Sequence, residues 1–142
     1  MLQADEIRHL LPHAGSMCLV EHVLAYDDEH IACTSSSHRA DENPLRTANG
    51  LAAVHGVEYG AQAMALHGLL CGKTGSVCAV VSARDVEFHV VWLDKIAQPL
   101  RIAATVVAES GIAATYRFSV QTNYRLLVSG RLTVAFLETT ST

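Results

Sequence analysis

The chain has 142 residues, half of them hydrophobic and 17% charged, with a formal net charge of −4. That is enough for one ordinary domain spanning residues 1–142 with a substantial core, and it excludes a disordered chain. The arginines are scattered, so no footprint for nucleic acid is present.

The opening Met1-Leu2-Gln3-Ala4-Asp5-Glu6 has neither a basic region nor a long apolar run, so no secretory signal is legible and a cytoplasmic location is expected. Ile7, Leu10 and Leu11 have helical spacing and Pro12 ends it, which predicts a short amphipathic helix over Ala4–Leu11. After a loop at Gly15-Ser16, residues Met17–Asp27 read as a strand. Asp27-Asp28-Glu29-His30 is a hairpin turn into a second strand, Ile31–Ser37. Residues Arg39–Asn49 are polar and contain Pro44, which marks a loop of functional length.

Leu51–Cys71 is the one long helix. It is rich in Ala, carries Gly56, Gly60 and Gly68, and is apolar almost all round, the pattern of a helix buried on most faces. The stretch from Gly50 to Gly72 has the length of a membrane span, but Glu58 near its middle makes insertion into lipid costly. Its glycines cost about 1 kcal/mol each in helix propensity, so close packing on a sheet must offset them.

From residue 77 onward the chain reads as strand: Val77–Leu93, Leu100–Glu109, Ala113–Asn123 and Leu126–Leu137, with short connections that imply antiparallel neighbours. Helix, two strands, long helix and four strands make an α+β pattern. One antiparallel sheet curling round a single long central helix is the hot-dog architecture, and its free edges predict a dimer.

Cys18, Cys33, Cys71 and Cys78 form no C-x-x-C pair and read as reduced, mostly buried thiols. No His or carboxylate grouping has the spacing of a zinc site, so no metal is expected. There is no Gly-x-Ser-x-Gly elbow and no phosphate-binding glycine loop. His67 and His89 read as surface or sheet histidines.

The informative anomaly is a polar stripe on the apolar helix. His55, Glu58 and Gln62 stand at i, i+3 and i+7 and project from one face. A carboxylate there has its charged form disfavoured by desolvation, which suits a general acid or base. Gln62 is placed to orient that carboxyl group or to satisfy a backbone amide. The plainer alternative is that Glu58 pairs with an arginine or caps a strand edge, and that His55 is a packing residue.

Two segments carry a family resemblance. Leu10-Leu11-Pro12-His13 followed by Met17-Cys18-Leu19-Val20-Glu21-His22-Val23 resembles the opening of the 3-hydroxyacyl-acyl-carrier-protein dehydratases. Gly56-Val57-Glu58-Tyr59-Gly60-Ala61-Gln62-Ala63-Met64-Ala65 is similar to that family's central-helix pattern of Glu, three residues, then Gln among alanines. The resemblance implies a hot-dog dehydratase acting on a 3-hydroxyacyl thioester. The acyl group would be carried on the phosphopantetheine of acyl carrier protein or on coenzyme A, with no cofactor of the protein's own. It implies a His that takes the proton beside the thioester carbonyl and a Glu, matched by Glu58, that helps expel the hydroxyl from across a dimer interface. Gln62, Tyr59 and Gly56 become the expected substrate contacts.

The resemblance departs at one point. The family's Gly-His-Phe-Pro loop is replaced by Glu42-Asn43-Pro44-Leu45-Arg46-Thr47, without a His. The loop is more similar to a divergent branch associated with aryl polyene gene clusters. His13 is then the first candidate base, His55 the second and His38 the third. The alternatives are a non-catalytic subunit supporting a second hot-dog protein, as homodimer or heterodimer, and an acyl thioesterase. Arg39, Arg46 and Arg84 are the expected docking residues for an acidic carrier.

Overall fold

The computed structural model describes residues 3, 6–7, 18–72 and 77–137. The hairpin comes first, as strands β1 (His22–Tyr26) and β2 (His30–Ser35). Helix α1 (Gly56–Leu70) follows. Strands β3 (Val77–Phe88), β4 (Leu100–Glu109), β5 (Ala113–Gln121) and β6 (Leu126–Leu137) complete a six-stranded sheet in the order β1-β2-β4-β5-β6-β3. Every pairing is antiparallel. This is the hot-dog arrangement, with one central helix held against one sheet.

Local chemistry sets the turns. The Asp27 carboxylate accepts hydrogen bonds from the amides of Glu29 (2.9 Å) and His30 (2.8 Å), closing the β1–β2 hairpin. Alternation sets the faces. Leu100, Ile102 and Ala104 on β4, and Ala114, Tyr116, Phe118 and Val120 on β5, are buried toward the helix, while Arg101 and Arg117 between them are exposed.

The glycines of α1 do what their propensity cost requires. A methyl group at Gly60 would stand 2.6 Å from Cδ2 of Phe118, and one at Gly56 would stand 2.9 Å from Cγ2 of Val128. Both positions let the helix backbone lie directly on β5 and β6. Among the described residues no helix is long and apolar enough to cross a membrane.

Three expected boundaries move by five residues each. The first strand begins at His22 rather than Met17, because Leu19 and Val20 give their amides to a side chain instead of a ladder. The long helix begins at Gly56 rather than Leu51: Ala52 bridges to Trp92, and Ala53–His55 is a 3₁₀ turn. The third strand ends at Phe88 rather than Leu93, since Val91 and Leu93 turn to pair with Ala53 and Leu51. His67 is also not a surface histidine. It is fully buried on α1, between the Tyr116 hydroxyl (Nδ1, 2.7 Å) and the Asp27 carbonyl (Nε2, 2.8 Å). The helix expected over Ala4–Leu11 lies largely outside the described residues. So does the side chain of Cys78, whereas Cys33 is a buried free thiol and Cys18 and Cys71 are half-buried.

Candidate active site

The candidate site forms at the first turn of α1. Gln62 is 3% exposed, and its amide oxygen accepts the backbone N–H groups of Leu19 (2.8 Å) and Val20 (3.4 Å). Those bonds fix the amide plane, so the Nε2 group points one turn back along the helix and donates to Oε1 of Glu58 at 3.3 Å. Gln62 therefore satisfies backbone amides and orients the carboxyl group at once. Glu58 itself is half-buried rather than enclosed. No arginine pairs with it among the described residues.

Exposed apolar side chains flank the start of α1, before Glu58. Val54, four residues earlier, is 56% exposed, and Val91, whose carbonyl accepts the Ala53 amide at 2.9 Å, is 70% exposed. His55, half-buried, precedes the helix and stands three residues before Glu58. Gly56 is buried against Val128.

Tyr59 takes a different direction from its neighbours. It is fully buried, its hydroxyl 2.7 Å from the Ser37 hydroxyl and receiving the Asn43 amide at 3.3 Å. Burial pushes its phenol up to about 12. Ser37 and Ser35 both donate to the Leu19 carbonyl at 2.6 Å. Thus Tyr59 holds the loop at 37–43 and the Leu19–Val20 segment against the helix, and its hydroxyl is occupied by the protein.

The three candidate bases are not equivalent. His13 lies outside the described residues. His38 is fully buried, its Nε2–H donating to the Ile96 carbonyl at 2.9 Å, while Nδ1 is buried without a partner. Desolvation holds its pKa below the usual imidazole value. Of the histidines among the described residues, His55 is the one placed at the Glu58 end of α1 and partly open to solvent. Arg39 donates to the Ala97 carbonyl at 3.2 Å, and Arg46 lies 3.6 Å from Asp94, so two of the three expected docking residues are engaged internally. Arg84 is exposed on β3. No grouping of His, Cys, Asp and Glu suited to a metal ion occurs among the described residues.

Sequence reasoning missed the Ser35–Ser37–Asn43–Tyr59 network, whose members are joined across loops without any periodic signal. It also missed Asp94. That carboxylate is 2% exposed, accepts the Leu51 amide at 2.9 Å, and closes against Gly50, whose φ of +120° is open to glycine. Together Asp94 and Gly50 aim the chain into the helix start.

This fold is that of the hot-dog dehydratases and thioesterases. The chain belongs to the ApeP-like family, described as ApeP dehydratase, whose model matches residues 5–141. It is similar in fold to a chain of the dehydratase heterocomplex ApeI:P from Xenorhabdus doucetiae, with a TM-score of 0.83 and 22% identity over 97% of this chain and 93% of that one. It is also similar to a thioesterase from Haemophilus influenzae, with a TM-score of 0.68 and 15% identity over 97% and 92% of the two chains. Zebra fish thioesterase superfamily member 2 gives 0.67 and 15%, over 96% and 100%. No curated protein matches the chain significantly in sequence.

Proposed function

We propose that the chain is one half of a hot-dog dehydratase pair acting on a 3-hydroxyacyl thioester carried by an acyl carrier protein, with Glu58 as the acid. The observation that supports this is the Gln62–Glu58 contact, which orients a half-buried carboxyl group in the first turn of the helix. A base removes the proton from the carbon beside the thioester carbonyl, and negative charge develops on the carbonyl oxygen. Glu58 in its acid form gives its proton to the 3-hydroxyl, the C–O bond breaks, and water leaves as the double bond forms. The Glu58 proton must be reloaded each cycle, which the proton taken by the base supplies in net balance.

The base is assigned to His13 or His55 of this chain, or to a histidine of a second hot-dog subunit seated on the β3 edge. The heterocomplex among the similar structures supports the second arrangement. Exposed Val81 (61%) and Phe88 (46%) along that edge suit burial against such a partner. The thioesterase-like neighbours favour one competing reading, in which Glu58 activates water to hydrolyse the thioester.

The test is Glu58→Gln in the protein assembled with its partner, assayed for hydration of an enoyl thioester and for thioester hydrolysis. Loss of hydration by roughly 10²- to 10⁴-fold with the assembly intact is expected. Full hydration activity would reduce this chain to a supporting subunit. Hydrolysis without hydration would make it a thioesterase.

A further inference from the structure

A chain of polar groups leaves α1 at Tyr59 and returns to it at Glu58, and its protons run in one direction. Tyr59 is fully buried, and the Asn43 amide nitrogen, a donor only, meets its oxygen at 3.3 Å. The phenol proton therefore goes to the Ser37 hydroxyl, 2.7 Å away. Burial pushes that phenol up to about 12, so it remains a donor throughout the neutral range. Ser37, having accepted from Tyr59, has its own proton to give to the Leu19 carbonyl at 2.6 Å. Ser35 lies 2.8 Å from the Ser37 hydroxyl and 2.6 Å from the same carbonyl oxygen. However the two serines share their protons, at least one reaches Leu19.

The Leu19 carbonyl and the Val20 N–H belong to one peptide group. That group takes donors at its oxygen and gives its N–H to Oε1 of Gln62 at 3.4 Å, beside the Leu19 N–H at 2.8 Å. Hydrogen bonds in head-to-tail order polarise one another, so a peptide engaged at its oxygen donates more strongly at its nitrogen. Two N–H groups on Oε1 exclude the flipped amide of Gln62, which would set donors against donors. Nε2 is thereby turned toward Glu58 and donates to its Oε1 at 3.3 Å. Ser35, Leu19, Val20 and Gln62 are all buried, which keeps water from competing for these bonds.

We infer that Tyr59, Ser37 and Ser35 are positioning residues that decide which oxygen of Glu58 carries its proton. The inference rests on the reading of Glu58 as the acid of the dehydration. With a donor on Oε1, the acid form places its proton on Oε2, the oxygen that Gln62 does not touch in this contact. There it is available to a 3-hydroxyl group. A flipped Gln62 would instead accept the proton on its own amide oxygen and hold it back from the substrate. The three hydroxyls act through the Val20 peptide and Gln62, never on the carboxyl group itself.

Through-hydrogen-bond NMR couplings read this orientation without any turnover. In the whole protein the Leu19 amide nitrogen should couple to Cδ of Gln62. In the Ser35→Ala/Ser37→Ala double variant that coupling should fall by at least about half, as the bonds fixing the segment are lost. Assembled with its partner, the same variant should lose roughly tenfold in kcat for enoyl thioester hydration at unchanged KM. Ser37→Thr, which keeps a hydroxyl, should retain both the coupling and kcat. In a Glu58→Gln background the serine changes should cost nothing further, since they act on that one group. Absence of the coupling in the wild type, a rise in KM alone, or full kcat once the coupling is lost would each overturn the inference. Should the double variant fail to fold, Tyr59→Phe decides: a weakened coupling with lowered kcat supports the inference, and full values of both overturn it. Failure of the proposed function shows separately, as full hydration activity in Glu58→Gln, and the couplings still decide how Gln62 faces the carboxyl group.

Discussion

Gln62 touches Glu58 with one end of its amide and the Leu19 and Val20 backbone with the other, so a single side chain connects the candidate acid to the segment that enters the first strand. The two ends can be separated by substitution. Gln62→Leu strips the acceptor from two buried amides and should cost about 1–3 kcal/mol, read as a lower midpoint in denaturant. Gln62→Glu keeps an acceptor for those amides but sets a second carboxylate beside Glu58. It should raise the apparent pKa of the acid limb in the pH–rate profile. An unmoved limb would show that Gln62 is structural alone.

Gly60→Ala sets helix propensity against packing. The gain of about 1 kcal/mol in the helix is opposed by a Cβ 2.6 Å from the ring of Phe118, itself locked in the core. Overpacking of that kind costs about 1–3 kcal/mol, so the variant should be less stable than the wild type. Combined with Phe118→Leu, the two costs should sum to more than the double variant loses. A more stable Gly60→Ala protein would mean that α1 does not lie on β5 at this distance.

In its neutral form His67 should carry its proton on Nε2. That atom faces the Asp27 carbonyl, which can only accept, leaving Nδ1 to receive the Tyr116 hydroxyl. Nitrogen NMR shifts report the tautomer directly, and a proton on Nδ1 would contradict the assignment. Tyr116→Phe leaves Nδ1 buried without a donor and should cost about 1–3 kcal/mol.

Acid should unfold the protein in two stages. His38 has its folded pKa lowered by desolvation below the ordinary 6.5. The unfolded chain therefore binds more protons there, and stability falls as pH drops below about 6.5. Asp94 is pulled the other way overall. Desolvation raises its pKa, but the Leu51 amide and the neighbouring Lys95 and Arg46 outweigh it and hold the carboxyl below its ordinary 3.8. Its contribution is complete above that value and is lost as pH falls through the lower folded one. Denaturation curves at stepped pH should show both. His38→Gln should flatten the first stage and Asp94→Asn the second, and a wild-type profile flat from pH 7 to 5 would rule out the buried neutral imidazole.

Much of this is legible in the sequence. The 3.6-residue spacing of His55, Glu58 and Gln62 and the strand alternation in β4 and β5 are local signals, and a helix or strand expresses them wherever it sits. The helix start was not legible, because Leu51–Ala53 continues the apolar run while Gly50, Asp94 and Val91 pull it into extended pairing. That competition is between residues some forty positions apart. His67 was misread for a related reason: nothing nearby in sequence announces a buried hydroxyl and a carbonyl waiting on either side of its ring.

The strand order has a consequence for how the chain acquires its shape. Strand β3 follows the helix in sequence, yet among the described residues it pairs only with β6, the last strand, and the β1–β2 hairpin joins the sheet only through β4. The β4–β5–β6 meander is the one large piece built from sequence neighbours. A chain growing from its N-terminus must therefore hold an apolar helix and one unpaired strand, β3, until nearly all of it has been made. Closing such long loops is slow compared with forming local contacts. During synthesis the helix glycines that later meet Phe118 and Val128 have no surface to lie against. Folding should await release of the final strand, and nascent chains stalled before residue 126 should remain sensitive to protease.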